Sequence, residues 1–212
     1  MKKYLAFYLP YFLFVICLLV LILTNEKASL HLMLTSFYTN IGDVFFKYYT
    51  EVGGNIPFVV IAGLLFYKYR IALILLITQL ITGLLVYFIK SIWNQPRPVK
   101  YFAEHYPDIQ LHKIEGVQLH GHYSFPSGHT ASAFAFFLVL AYFTKKPAMH
   151  FLYFFMAVMV GFSRVYLSQH FVFDLMVGSL VGVVVATLCQ IYLVNKPMRW
   201  ADGSLRDVFS RK

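Results

Sequence analysis

Three short segments of this 212-residue chain carry side chains able to do chemistry: KSIWNQPRP (90–98), YSFPSGHT (123–130) and GFSRVYLSQHFVFD (161–174). Lys90, Arg97 and Arg164 are cations beside long apolar runs. One such residue alone simply reaches its charge toward water. Three brought to one face repel one another and call for an anion. Arginine's planar fork matches phosphate oxygens, and lysine adds a point charge. In PSGH, Ser127 offers a hydroxyl and a helix cap, and Gly128 lets a ligand approach the backbone closely. The free amides and positive dipole end of the helix that follows would face the same ligand. His170 and Asp174 stand four residues apart, which on a helix places them on one face. The carboxylate can then hold one imidazole nitrogen and leave the other free to attack. His129, at the mouth of another helix, is placed to protonate a leaving oxygen. Residue types alone do not decide which histidine attacks. An aspartate inside an apolar run costs roughly 3 kcal/mol on insertion scales, so Asp174 marks function.

The elements that must position these groups follow from composition. The chain is 59% hydrophobic and 13% charged, against roughly 25% charged residues in soluble domains. Its apolar residues gather into six runs, at about 4–24, 53–67, 71–89, 130–144, 148–162 and 172–194. The second, fourth and fifth are short for a ~30 Å hydrocarbon core and are expected to extend into their flanks. The first run is too long for a signal peptide and has no cleavage pattern after it, so it reads as a retained anchor. The expectation is an all-α, six-span membrane bundle forming one domain over 1–212, with 196–212 a short basic cytoplasmic tail. Cys17 and Cys189 both lie in apolar runs and read as small hydrophobes.

With the N-terminus inside, eleven of the eighteen lysines and arginines fall on the cytoplasmic side, together with both termini. The formal charge of +9 then reflects topology and anionic lipid, not nucleic acid. All three chemical segments fall on the opposite side. So does 25–52, where Phe37, Ile41, Val44, Phe45, Tyr48, Tyr49 and Val52 form a near-helical stripe suited to the membrane interface.

Taken together, the segments resemble the type-2 phosphatidic acid phosphatase and vanadium haloperoxidase superfamily. Its pattern K-x6-RP, PSGH, SR-x5-H-x3-D is matched by Lys90…Arg97-Pro98, Pro126-Ser127-Gly128-His129 and Ser163-Arg164…His170…Asp174. Order and spacing agree throughout, over less than a quarter of the chain. The resemblance implies that Lys90, Arg97, Arg164, Ser127 and the Gly128 amide hold the phosphate. It implies His170 as the nucleophile that forms a phosphohistidine, Asp174 as its orienting partner, and His129 as general acid and then base. It implies no metal and no other cofactor. The compact loops are similar to those of bacterial members, which implies an inner (plasma) membrane location and a periplasmic site.

A site at headgroup depth suits a membrane lipid phosphate or diphosphate: phosphatidate, phosphatidylglycerol phosphate, an isoprenyl diphosphate or a lipid A phosphate. The segment 99–125 is the expected selector. Its His105, His112, His120 and His122 are open to metal binding, headgroup contact or plain solvation. Competing activities are lipid-to-lipid phosphotransfer, vanadate-dependent halide oxidation, and a non-catalytic anion-binding membrane protein.

Overall fold

The computed structural model describes residues 2–194, 196, 201 and 203–209. Among these there is no strand. Ten α-helices follow one another: α1 (Leu5–Thr24), α2 (Lys27–Leu34), α3 (Asn40–Tyr49), α4 (Ile56–Leu64), α5 (Tyr69–Ile92), α6 (Pro98–His105), α7 (Gly128–Tyr142), α8 (Pro147–Tyr166), α9 (Val172–Cys189) and α10 (Leu205–Phe209). Four are long and apolar enough to cross a bilayer: α1, α5, α8, and α9 with its extension to Leu193. The fifth expected span does lengthen into its flanks, reaching 20 residues in α8. The second and fourth stay short, with 9 residues in α4 and 15 in α7. At ~1.5 Å per residue, α7 covers ~22 Å, less than a ~30 Å hydrocarbon core.

Helix α7 tolerates its shortness because protein encloses it. It is apolar all round, as a central helix must be, and Ala131, Ala133, Phe134, Ala135 and Leu138 are fully buried. Helices α5, α8 and α9 surround it. Apolar surface alone does not hold helices together in lipid, so close van der Waals contact must do so. Gly178 and Gly182 of α9 supply it. A methyl group at Gly182 would press on the Ala131 carbonyl, and one at Gly178 would lie 2.5 Å from the Ser127 carbonyl. Helix α1 packs on α8 through Phe7 and Phe14, which meet Phe154, and on α7 through Tyr11, which meets Phe134, while Leu9, Phe12, Leu13, Ile16 and Leu23 point outward.

The segment 25–52 becomes α2 and α3 with the start of a 3-10 turn, and most of the interfacial stripe falls on α3. Thr39 caps α3 by accepting the Gly42 amide at 3.0 Å. Ile41, Val44, Phe45 and Tyr48 are exposed, while Phe46, outside the expected stripe, turns inward onto Tyr166. Of the expected tail, residues 197–200, 202 and 210–212 lie outside the described residues. The described part meets the α4–α5 turn, where the Leu205 amide donates to the Leu65 carbonyl and the Tyr69 amide to the Gly203 carbonyl.

Candidate active site

Five chain segments meet at one end of the bundle. Lys90 is in the last turn of α5, Arg97 caps α6, 127–129 open α7, Arg164 is in the last turn of α8, and 170–174 lead into α9. The sequence-predicted residues are therefore neighbours although they span 85 positions.

His170 differs from expectation in one respect. It precedes α9 rather than lying on it, since Phe171 is the N-cap. The pairing with Asp174 survives because that carboxylate folds back over the first turn. Its Oδ2 accepts the Phe171 amide at 2.9 Å and the Ser124 hydroxyl at 2.5 Å. Nδ1 of His170 lies 3.5 Å from the same oxygen. That is ion-pair range but misses hydrogen-bond geometry, and Nδ1 has no hydrogen-bond partner among the described residues. Burial pushes the His170 imidazole down to about 3, with Arg164 and Arg97 pushing the same way and Asp174 opposing. His170 is thus a neutral, dry imidazole at physiological pH.

The cations are aimed by polar contacts. Arg164 is only 8% exposed and donates to Thr50 Oγ1 at 2.8 Å. Its Nε is buried with no hydrogen-bond partner among the described residues. Arg97 donates through Nε to the His122 carbonyl at 2.9 Å and through a terminal nitrogen to Gln169 Oε1 at 2.7 Å. Burial holds its guanidinium below the usual range, with the Asp174 carboxylate opposing. Lys90 donates to the carbonyls of Tyr123 and Ser124. Tyr123 has a φ of 58°, a conformation that costs a bulky side chain roughly 1–3 kcal/mol and that clusters at functional sites. A guanidinium nitrogen left unsatisfied in a dry site, as Arg164 Nε is, is where a ligand's oxygen belongs.

At the start of α7, Ser127 is fully buried. Its Oγ lies 2.8 Å from Thr130 Oγ1 and accepts the Thr130 amide at 3.4 Å. The amides of Gly128 and His129 precede any intrahelical acceptor, as first-turn amides do. A side-chain carbon at Gly128 would meet only Val86, at 3.6 Å, so the amide stays approachable. His129 and Arg164 share a polar cleft of about 410 Å3, whose walls include Thr50, Glu51, His120 and Gln169. On the other flank of the His170–Asp174 pair runs a groove of about 710 Å3, lined by Ile22, Leu30, Ile89, Trp93, Phe125 and Val177. Asp174 forms part of its wall.

Reading the sequence missed Thr50, Ser124, Gln169 and Glu51. Ser124 and Gln169 sit inside the chemical segments, where proximity to Pro126 and His170 was the available signal. Thr50 and Glu51 lie in a 3-10 turn (Thr50–Gly53) ahead of α4, and nothing local announces that this turn packs on α7 and α8. The four loop histidines do not gather. His105 contacts the Tyr101 carbonyl at 3.0 Å, His112 the Asp43 carboxylate at 2.8 Å and His122 the Lys100 ammonium at 2.9 Å. His120 alone of the four lies on the cleft wall. Among the described residues, no group of three or more His, Cys, Asp or Glu side chains is arranged to hold a metal.

Known proteins are similar to this chain in sequence and in fold. The chain is 27% identical over 142 residues to probable lipid phosphate phosphatase 4 of Arabidopsis thaliana, covering 56% of this chain and 46% of that protein. It is 36% identical over 77 residues to phosphatidylglycerophosphatase B of Bacillus subtilis, covering 32% of this chain and 38% of that one. The chain spans about half the length, or less, of the curated relatives it matches. Among solved structures, Aquifex aeolicus LpxE superposes with a TM-score of 0.65 at 28% identity, over 78% of this chain and 95% of that one. The PAP2-type phosphatidylglycerolphosphate phosphatase of Bacillus subtilis superposes with a TM-score of 0.66 at 25% identity, over 94% and 100%. The PAP2 superfamily profile matches residues 71–197, which include every residue of the three motifs. Gathered cations, a serine-capped helix mouth and a paired buried histidine thus occur in a chain that belongs to the PAP2 superfamily.

Proposed function

We propose that this protein is a lipid phosphatase of a bacterial inner membrane, removing phosphate from a membrane lipid through a phosphohistidine at His170. The observation that carries the reading is the convergence of Arg97, Arg164, the α7 amino end and His170 on one small region, with Arg164 Nε lacking a partner among the described residues and His170 Nδ1 turned to Asp174. The relatives named above act on lipid phosphates by their names, which supports the substrate class. The apolar groove beside Asp174 supports a substrate whose tail stays in the bilayer. Six spans with both termini cytoplasmic would put the site on the periplasmic side; in that arrangement α4 and α7 are the two short spans.

The chemistry follows from the geometry. Lys90, Arg97 and Arg164 would draw negative charge off the equatorial oxygens, aided by Ser127 and the Gly128 amide. His170, neutral and turned by Asp174, attacks phosphorus while His129 passes a proton to the departing lipid oxygen. His129 then takes a proton from water as that water attacks the phosphohistidine. Splitting one displacement into two lowers each barrier. Positioned cations supply the charge stabilisation, so no metal enters these steps.

The test is phosphate release by purified protein in detergent with EDTA present. A panel of phosphatidate, phosphatidylglycerol phosphate, an isoprenyl diphosphate and a lipid A phosphate should give release from at least one, with loss in His170→Ala. Labelled phosphate arriving on a second lipid, with little released free, would replace hydrolysis by phosphotransfer.

A further inference from the structure

The 3-10 turn ahead of α4 places a carboxylate beside the histidine expected to act as general acid. Gly53 of that turn packs against the His129 carbonyl. A methyl group on the next residue, Gly54, would lie 2.9 Å from Glu51 Oε2 and 3.1 Å from His129 Nε2. The two polar atoms are therefore separated by at most those lengths together, across a gap kept open by glycine. Glu51 Oε2 is steadied by the Asn55 side-chain amide at 2.9 Å. Glu51, His129 and Arg164 line the same cleft.

The charge around His129 gives this neighbour a use. The other charged or titratable groups that face it are Arg164 of α8, Lys90 of α5, Arg97 ahead of α6 and His170 ahead of α9. Lys47 of α3 and His120 stand further along the cleft wall, and Lys47 Nζ is bonded to the Glu115 carbonyl at 2.7 Å. Each of these is cationic or neutral. Asp174 is held on the far side by Ser124 and Phe171. An imidazole that must carry a proton among three fixed cations needs an anion near it, and the carboxylate on the wall of this cleft is Glu51.

Resting on the reading of His129 as the leaving-group acid, we infer that Glu51 is its positioning residue. It holds the proton-bearing imidazole against the surrounding cations and turns Nε2 toward itself, leaving the other ring nitrogen for the departing oxygen. When the phosphorus–oxygen bond breaks and the phosphorus–nitrogen bond to His170 forms, the bonding pair stays with the lipid oxygen. The proton of His129 passes to that oxygen, and Glu51 remains ionised throughout. The site then sets a carboxylate near each imidazole: Asp174 at 3.5 Å from His170 for attack, and Glu51, beyond ion-pair distance in this structure, across Gly54 from His129 for departure.

The experiment compares kcat/KM for dioctanoyl phosphatidate, whose alcohol must be protonated to leave, with that for p-nitrophenyl phosphate, whose phenolate leaves unaided. Glu51→Gln keeps the acceptor for Asn55 and removes the charge. It should lower kcat/KM on phosphatidate by about ten- to a hundredfold and on the aryl ester by less than about threefold. Glu51→Asp should recover part of the loss, and adding Glu51→Gln to His129→Ala should cost nothing further. An equal loss on both esters, a further loss in the His129→Ala background, or wild-type behaviour of Glu51→Gln each overturns the inference and leaves the phosphatase reading intact. Full activity of His170→Ala, or no phosphate release by wild type from either ester, overturns that reading, and the inference falls with it.

Discussion

Asp174 accepts the hydroxyl of Ser124 at 2.5 Å, so the loop that delivers the PSGH segment is fastened to the turn that carries His170. Both residues are buried. A hydrogen bond to a buried charge is worth about 1.5–3 kcal/mol. Ser124→Ala should therefore lower stability in detergent by about 2 kcal/mol and reduce kcat about tenfold, because the carboxylate that orients His170 becomes freer. Thermal melts and steady-state kinetics on one preparation check both. A Ser124→Ala protein with wild-type kcat would show that this fastening is only structural.

Thr50 holds the guanidinium of Arg164 from a different element, at 2.8 Å in a buried setting. Thr50→Val keeps the shape and removes the acceptor. A charged donor left unsatisfied there costs about 1–3 kcal/mol, and the phosphate contact suffers. Inhibition by orthovanadate, as a phosphate-shaped probe, should weaken by about tenfold. Unchanged inhibition would place Arg164 outside the anion site.

Much of the site was legible in the sequence because its chemistry is written in residue types at fixed spacing. Lys90, Arg97, the PSGH turn, Arg164 and the His170–Asp174 pair each carried a local signal, and the structure brings them to one end of the bundle. What stayed hidden was support from elsewhere. Thr50 and Glu51 act through a turn whose packing depends on the whole bundle. The helical placement of His170 was wrong for a local reason: the Asp174 carboxylate accepts the Phe171 amide, which makes Phe171 the N-cap and starts the helix at Val172, two residues after the histidine. The fold was legible as apolar runs. Their lengths were not, because α7 survives at 15 residues by being enclosed, a property of its neighbours.

The acid behaviour follows from burial. His170 is pushed down to about 3 and His31, also buried, to about 4, each against an ordinary value near 6.5. Catalysis should therefore keep its nucleophile unprotonated at pH 5, where an ordinary histidine is mostly charged. Stability takes the opposite sense. Both groups are neutral in either state above pH 6.5. Below it the unfolded chain binds protons that the folded one refuses, so stability falls with pH down toward about 4 and 3. Melting temperature should drop between pH 7 and pH 4, and less steeply in His31→Gln. A melting temperature flat across that range would contradict the burial of both imidazoles.

The alkaline side tests a different residue. If His129 donates the first proton, kcat/KM on a lipid phosphate falls as pH rises, since the acid is lost. A profile flat from pH 5 to pH 10 would remove His129 from that role.

Close approach of α7 and α9 depends on Gly182, where a methyl group would press on the Ala131 carbonyl. Gly182→Ala forces the helices apart and should cost about 1–3 kcal/mol, read as a lower melting temperature in detergent. No change would mean that the contact is looser than it stands here.

The central claim is a covalent one, and a rapid quench reaches it directly. Purified protein mixed with 32P-labelled lipid substrate and stopped during turnover should carry acid-labile label at His170, located by peptide mass spectrometry. His170→Ala should carry none and lose at least about a thousandfold in kcat. Full phosphate release with no label on the wild-type protein at any time point, or turnover by His170→Ala near the wild-type rate, would contradict it.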